Sequence, residues 1–177
     1  YRGIYGDTGT SPSNQYNNGY ETPFATVMTC GTGDFDHDNS QSEDALLHFA
    51  EHADFDILVF IQPTSPLLQS KYINKGINLL LNDNQFDSVC TVYKEHWLPR
   101  WDQSGNPIDW NVNKRPRRQD KSELYVENGA FYITTKQNLL KSKLRYSGKI
   151  GFIEMKFSES FQVDTMDDLE LIKKVIK

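Results

Sequence analysis

The chain has 177 residues, enough for one domain with a proper core. Charged residues at 24% and aromatic residues at 12% exclude a wholly disordered chain. A net charge of −5 excludes a general nucleic-acid binder, so any anion site must be local, and no apolar run approaches the ~20 residues that span a bilayer.

Residues 1–40 differ from everything after them. They hold six of the eleven glycines, with Pro12, Pro23 and many Ser, Thr and Asn, and only Thr26 to Cys30 reads as a short strand. Arg2 is their single cation, and the first lysine of the chain is Lys71. The segment reads as irregular loop. No signal peptide is visible, and a start at Tyr1 rather than Met reads as a fragment, a processed form or an incomplete gene product.

From Ser42 a helix is expected, with Glu43 and Asp44 at its positive end and Leu46, Phe49, Ala50 and Ala53 as its buried stripe. Within it, His48, Glu51 and His52 form an HxxEH pattern with both histidines on one face. A metal pairing is sterically allowed, but no third ligand is marked. A zinc hydrolase is therefore a remote alternative, and two surface histidines on an amphipathic helix are the better account.

Ile57 to Ile61 is a continuous apolar run, as a strand covered on both faces requires, and Gln62-Pro63-Thr64-Ser65-Pro66 stops it abruptly. The carboxyl end of such a strand is where open α/β sheets place ligands. A second helix is expected over Ser70 to Leu81, with Ile73, Ile77, Leu80 and Leu81 inward, then a strand over Ser88 to Tyr93. Cys90 in that strand reads as a buried free thiol, which points to a reducing compartment. Lys94 to Glu127 holds all three tryptophans, Trp97, Trp101 and Trp110. It is too long and aromatic for a plain connection, and reads as an excursion that packs on a partner subunit.

Gly129 to Thr134 returns to the sheet, with Asn128 and Gly129 setting the turn into it. Lys136 to Leu140 reads as a helical turn, Ile150 to Phe157 as a strand, and Thr165 to Ile176 as a helix with Leu169, Ile172 and Ile176 inward. Thr165 and Asp168 stand in the relation of a capping box. Strands alternating with helices give an α/β domain with a mostly parallel or mixed sheet.

Lys114 to Arg118 (KRPRR) carries four cations around Pro116, just ahead of that apolar strand. Guanidinium groups bind carboxylate and phosphate bidentately, so the run suits an anionic small molecule; a solvated basic loop and a nuclear address are the other readings. The whole stretch, RRQDKSELYVENGAFYI, resembles the central motif of the CMP-sialic acid synthetases (N-acylneuraminate cytidylyltransferases), and the resemblance can be followed from about Asp36 to Lys177. It implies a three-layer, Rossmann-like nucleotidyltransferase fold over 41–177, with 94–127 as a small dimerisation insert. It further implies transfer of CMP from CTP to a sialic-acid-type sugar, with release of pyrophosphate, by a Mg²⁺-dependent homodimer.

By the same resemblance, Gln62 of IQPTSP contacts the acyl sugar, Arg118 meets its carboxylate and Tyr132 lines its pocket. Arg100 of LPRW reaches the neighbour's active site, and Asp164 of FQVDTMDD holds metal. The family shows two carboxylates there, and this chain has Gln162 in the partner position. A neutral amide offers a carbonyl oxygen to a hard cation but no charge. The Gly-rich loop with Arg and Lys that neutralises the triphosphate in the family finds no counterpart in residues 1–40, so impaired turnover is expected. The alternative is a non-catalytic, dimeric sugar-acid-binding relic. A cytoplasmic location is expected, or a nuclear one if KRPRR acts as an import signal.

Overall fold

The computed structural model describes residues 24–28, 41–82, 85–120 and 123–176. Strand β1 (Phe24–Met28) is followed by α1 (Gln41–His52), β2 (Ile57–Ile61), α2 (Ser70–Asn82) and β3 (Ser88–Glu95). The two-residue strands β4 (Arg100–Trp101) and β5 (Pro107–Ile108) come next, then the long β6 (Leu124–Thr135), α3 (Lys136–Ser142), β7 (Ile150–Glu154) and α4 (Met166–Val175). The remainder of residues 1–40, including Arg2, Cys30 and the Gly-rich start, lies outside the described residues.

The main sheet runs β1-β2-β6-β3-β7. β1 pairs with β2, and β3 with β7, in parallel, whereas β6 is antiparallel to both its neighbours. The sheet is thus mixed, with β1, β2, β3 and β7 running in one direction and β6 against them. Alternation along the strands feeds two cores. Leu58, Phe60, Cys90 and Tyr132 face α1 and α3, whereas Val59, Val89, Phe131 and Ile133 face α2, giving the three layers expected. Among the described residues no helix is long and apolar enough to cross a membrane.

Helix α1 buries Leu46, Ala50 and Ala53 as its spacing predicts. Glu43 does not stay at the solvated helix start. It turns inward, 7% exposed, and takes a bidentate pair from Arg145, whose Nη2 lies 2.7 Å from Oε2. That carboxylate holds the Arg145 guanidinium firmly protonated. Helix α2 is rotated from its expected stripe: Tyr72, Gly76 and Leu80 are buried, Ile73 and Ile77 only partly, and Leu81 is exposed. Gly76 explains the rotation, because a Cβ there would come within 2.7 Å of Ile133 Cδ1. The glycine lets the helix approach the sheet at that point.

In α4, Ile172 is buried but Ile176 lies beyond the helix and is 55% exposed. The capping box forms, with Asp168 accepting from the Thr165 backbone and hydroxyl. Those bonds hold the Asp168 carboxyl below its ordinary range. Burial pushes the Cys90 thiol up to about 12, so it is a packed, unreactive free thiol.

The excursion is shorter than 94–127, since Lys94 and Glu95 belong to β3 and Leu124–Glu127 to β6. Its tryptophans pack on one another. Trp110 meets Trp101 edge-on at 4.8 Å and Trp97 at 6.4 Å, and its Nε1 donates to the Arg100 carbonyl at 2.9 Å.

Candidate functional site

The site is built around a defect in β6. Cys90 pairs with Tyr132 and Val92 with Glu127, so two steps along β3 span five along β6, and three residues of the Asn128–Phe131 run are surplus. Asn128 and Gly129 therefore make a bulge inside the strand, not a turn at its entry. The buried Thr91 hydroxyl fills the gap, accepting from the backbone N–H of Ala130 at 3.0 Å and of Phe131 at 3.3 Å. Asn128 Oδ1 takes a further, longer bond from Ala130 N–H.

Gly129 is lifted by this bulge with φ of 64°, a left-handed conformation that glycine adopts without penalty. A Cβ on it would lie 2.7 Å from Gln62 Oε1, 3.3 Å from Gln162 Nε2 and 3.6 Å from the Tyr132 hydroxyl. Two residues singled out from sequence for the sugar, Gln62 and Tyr132, thus converge on one point with Gln162. Gln62 is placed there by its own backbone, whose N–H donates to the Ala130 carbonyl at 3.1 Å.

The Gln162 amide is held at both ends. Its Oε1 accepts from Thr64 Oγ1 at 3.0 Å and its Nε2 donates to Ser65 Oγ at 3.1 Å, while Val163 N–H donates to the Thr64 carbonyl. Both hydroxyls of the PTSP loop are spent fastening it to the 162–164 segment. The carbonyl oxygen that the sequence offered to a metal thus already accepts one hydrogen bond.

A cleft of about 600 Å³ opens beside the bulge, with Glu127, Asn128, Gly129, Gln162, Asp164 and Asp168 in its wall and Tyr93 and Phe157 as an aromatic edge. Asp164 is exposed there, and its backbone N–H donates to Asp168. Mg²⁺ takes one or two carboxylates and completes its shell with water and phosphate oxygens. The Asp164 carboxylate fits that demand, whereas Gln162 has a neutral carbonyl oxygen and brings no charge.

Glu127 was not singled out from sequence, although it directly precedes the NGAFY motif. It accepts from the Tyr132 hydroxyl at 2.5 Å and from that of Tyr146 at 3.3 Å. Burial, reinforced by the bond to Glu127, pushes the Tyr132 phenol well above its ordinary value, so it is a fixed hydrogen-bonding group rather than an acid. Tyr132 is stacked between Phe60 and Tyr146, and the Arg145 guanidinium lies over its ring at 5.2 Å.

The two arginines are placed differently. Arg118 is exposed in a short 3-10 turn, Arg118–Asp120, outside the residues that wall the cleft. Its neighbour Arg117 is tied to Asp120 by two bonds. Arg100, on β4, is paired with Glu95 at 2.5 Å and is not brought to the cleft of its own chain. His48, Glu51 and His52 lie on exposed α1 positions, none of them in the cleft wall.

Comparison with known proteins identifies the family and the fold. A family model described as cytidylyltransferase matches residues 16–177, beginning earlier than the resemblance followed from Asp36. N-acylneuraminate cytidylyltransferase A of Danio rerio is 36% identical over 135 residues, covering 72% of this chain and 31% of that protein. The N-acylneuraminate cytidylyltransferase of Streptococcus agalactiae serotype III (strain NEM316) is 30% identical over 137 residues, covering 74% and 33%. The chain spans about a third of the length of these curated relatives.

Among solved structures, a CMP:2-keto-3-deoxy-manno-octonic acid synthetase complexed with CTP superimposes with a TM-score of 0.53 at 16% identity, over 80% of this chain and 69% of that one. The 4-diphosphocytidyl-2C-methyl-D-erythritol synthase of Anaerococcus prevotii DSM 20548 gives 0.55 at 12% identity, over 76% and 63%. At such identities these two support the α/β nucleotidyltransferase fold alone. With the family match running over nearly the whole chain, the chain belongs to the cytidylyltransferase family.

Proposed function

We propose that the chain activates a sialic-acid-type nonulosonic acid with CTP, giving the CMP-sugar and pyrophosphate. The observation that carries this reading is the convergence of Gln62, Tyr132 and Gln162 on the lifted Gly129, which with Gln162 and Asp164 walls the cleft. Gln62 and Tyr132 present amide and phenol groups suited to the hydroxyls and acylamide of such a sugar, and the wall of Phe60 and Tyr146 fixes the Tyr132 ring. Arg118 supplies the bidentate partner for the sugar carboxylate. Asp164 would hold Mg²⁺, which would supply positive charge against the phosphates of CTP. The residues of this chain orient the anomeric hydroxyl for in-line attack at the α-phosphate, and that positioning is their main contribution.

Calorimetric titration with sialic acid tests the sugar assignment. A hydrogen bond to a charged group contributes about 1.5–3 kcal/mol, so Arg118→Ala should weaken binding by about tenfold or more while the circular dichroism stays that of the parent. Equal affinity in parent and variant rejects the role of Arg118.

We also propose that the protein dimerises through the excursion. Trp101 is 50% exposed, and Leu98, Ile108 and Val112 around it are exposed as well. Because Trp97 and Trp110 are partly covered by their own cluster, the outward face rather than the tryptophan count carries the association. In a dimer Arg100 would exchange Glu95 for the neighbour's substrate. Sedimentation should show a dimer for the parent and a monomer for Trp101→Ser/Ile108→Ser; a monomeric parent or an unchanged double variant contradicts the interface.

A further inference from the structure

The last turn of α1 carries a group of ligands that the nucleotidyl-transfer reading leaves unused. Among the described residues, one nitrogen each of His48 and His52 and a carboxylate oxygen of Glu51 lie within 4.8 Å of one another, all on exposed side chains. The imidazole rings stand 4.4 Å apart, centroid to centroid. His52 Nδ1 is 2.8 Å from the His48 carbonyl oxygen. A carbonyl only accepts, so that nitrogen carries the proton, and the lone pair of the ring is left on Nε2. This is the arrangement that fixes the tautomer and orientation of a metal-binding histidine.

Two further features favour a cation there. The three residues occupy the carboxyl-terminal turn of a twelve-residue helix, the negative end of its dipole. Glu51 adds a formal negative charge. Two imidazoles and one carboxylate are donors for zinc, nickel or copper rather than for Mg²⁺. Bond lengths near 2.1 Å place ligand atoms roughly 3.4 Å apart, so a set whose atoms lie within 4.8 Å of one another has little distance to close.

We propose that His48, Glu51 and His52 form a surface site for one divalent transition-metal ion, with the remaining coordination positions filled by water. It is a cation site on the outer face of α1, distinct in ligands and hardness from the carboxylate of the cleft, and it needs neither CTP nor sugar.

The test is a calorimetric titration of the 1–177 chain with ZnCl₂ in chelator-treated buffer containing excess Mg²⁺. One saturable equivalent is expected. Loss of a mere supporting partner costs a metal site about 10–100-fold in affinity, so His48→Ala and His52→Ala, which remove ligands outright, should each cost at least about tenfold. Glu51→Gln should cost less. In the parent, nitrogen-15 spectra should show both imidazoles shifting together on addition of Zn²⁺, a readout independent of how the variants fold. Absence of saturable binding, or an equivalent that persists undiminished in the doubly substituted His48→Ala/His52→Ala chain, overturns the site.

Discussion

Residues 1–177, supplied with CTP, Mg²⁺ and sialic acid, should release pyrophosphate at least about 10³-fold more slowly than the Danio rerio relative assayed alongside, the cost of one missing positioned cation at a phosphoryl centre. Phosphoryl and nucleotidyl transfer rest on neutralising the triphosphate, and residues 1–40 contain one Lys or Arg, Arg2. The metal side is thin as well. Asp164 stands in the cleft without a second free carboxylate beside it in sequence, because the position two before it is a glutamine engaged with Thr64 and Ser65. Gln162→Asp should tighten Mg²⁺, yet it releases the PTSP loop and leaves the triphosphate without its anchor, so turnover should not recover. Robust turnover by the parent chain would show that the backbone amides of its glycine-rich start hold the nucleotide unaided.

Gly129→Ala should lower the efficiency of the chain toward the sugar by about 10²-fold, the usual cost of shifting a positioned reactant by about an ångström. The added methyl meets Gln62 Oε1 at 2.7 Å, and the tip of Gln62 is what gives way. A left-handed backbone at alanine adds about 1–2 kcal/mol of strain, which a domain of this size withstands. The effect should run through Gln62. Gln62→Ala alone should reproduce most of the loss, and the double variant should be scarcely worse than either single one. Strict additivity of the two substitutions, or parental kinetics in Gly129→Ala, removes Gln62 from the site. Relative rates of pyrophosphate release at low sugar concentration, with sugar affinity from calorimetry, supply both numbers.

Much of this was legible in the residues. ILVFI followed by QPTSP is a strand and its stop from composition alone, and the structure has β2 ending at Ile61. The stripe of α1 and the capping box of α4 follow from spacing and local hydrogen bonding, which a sequence carries directly. Helix α2 was misjudged by about one position because burial there is decided by Gly76, which has no hydrophobicity to signal it, against side chains more than fifty residues away. Leu124–Glu127 was assigned to the excursion because Asn-Gly reads locally as a turn. Only Thr91, on a different strand, converts that dipeptide into a bulge inside a continuous β6.

The site divides along the same line. Gln62, Tyr132 and Asp164 lie in short contiguous motifs, and the resemblance of those motifs to the family singled them out. The engagement of Gln162 by two hydroxyls nearly a hundred residues earlier, and the pairing of Glu43 with Arg145, are long-range contacts without a local pattern. The sequence showed Gln162 only as a missing charge. In the fold it is a clasp.

The bulge also acts as slack. β6 pairs with β2 without a break from Phe131 to Thr135, and that ladder sends Tyr132 to the core under α1 and Phe131 to the core beneath α2. The surplus residues lie outside it, between two paired stretches, and a change of length there is taken up by the unpaired backbone. Removing one residue from Asn128–Ala130, or adding one, should leave both aromatics in their cores and shift Gly129 instead. The cleft, not the core, bears the cost of a change in the length of this run.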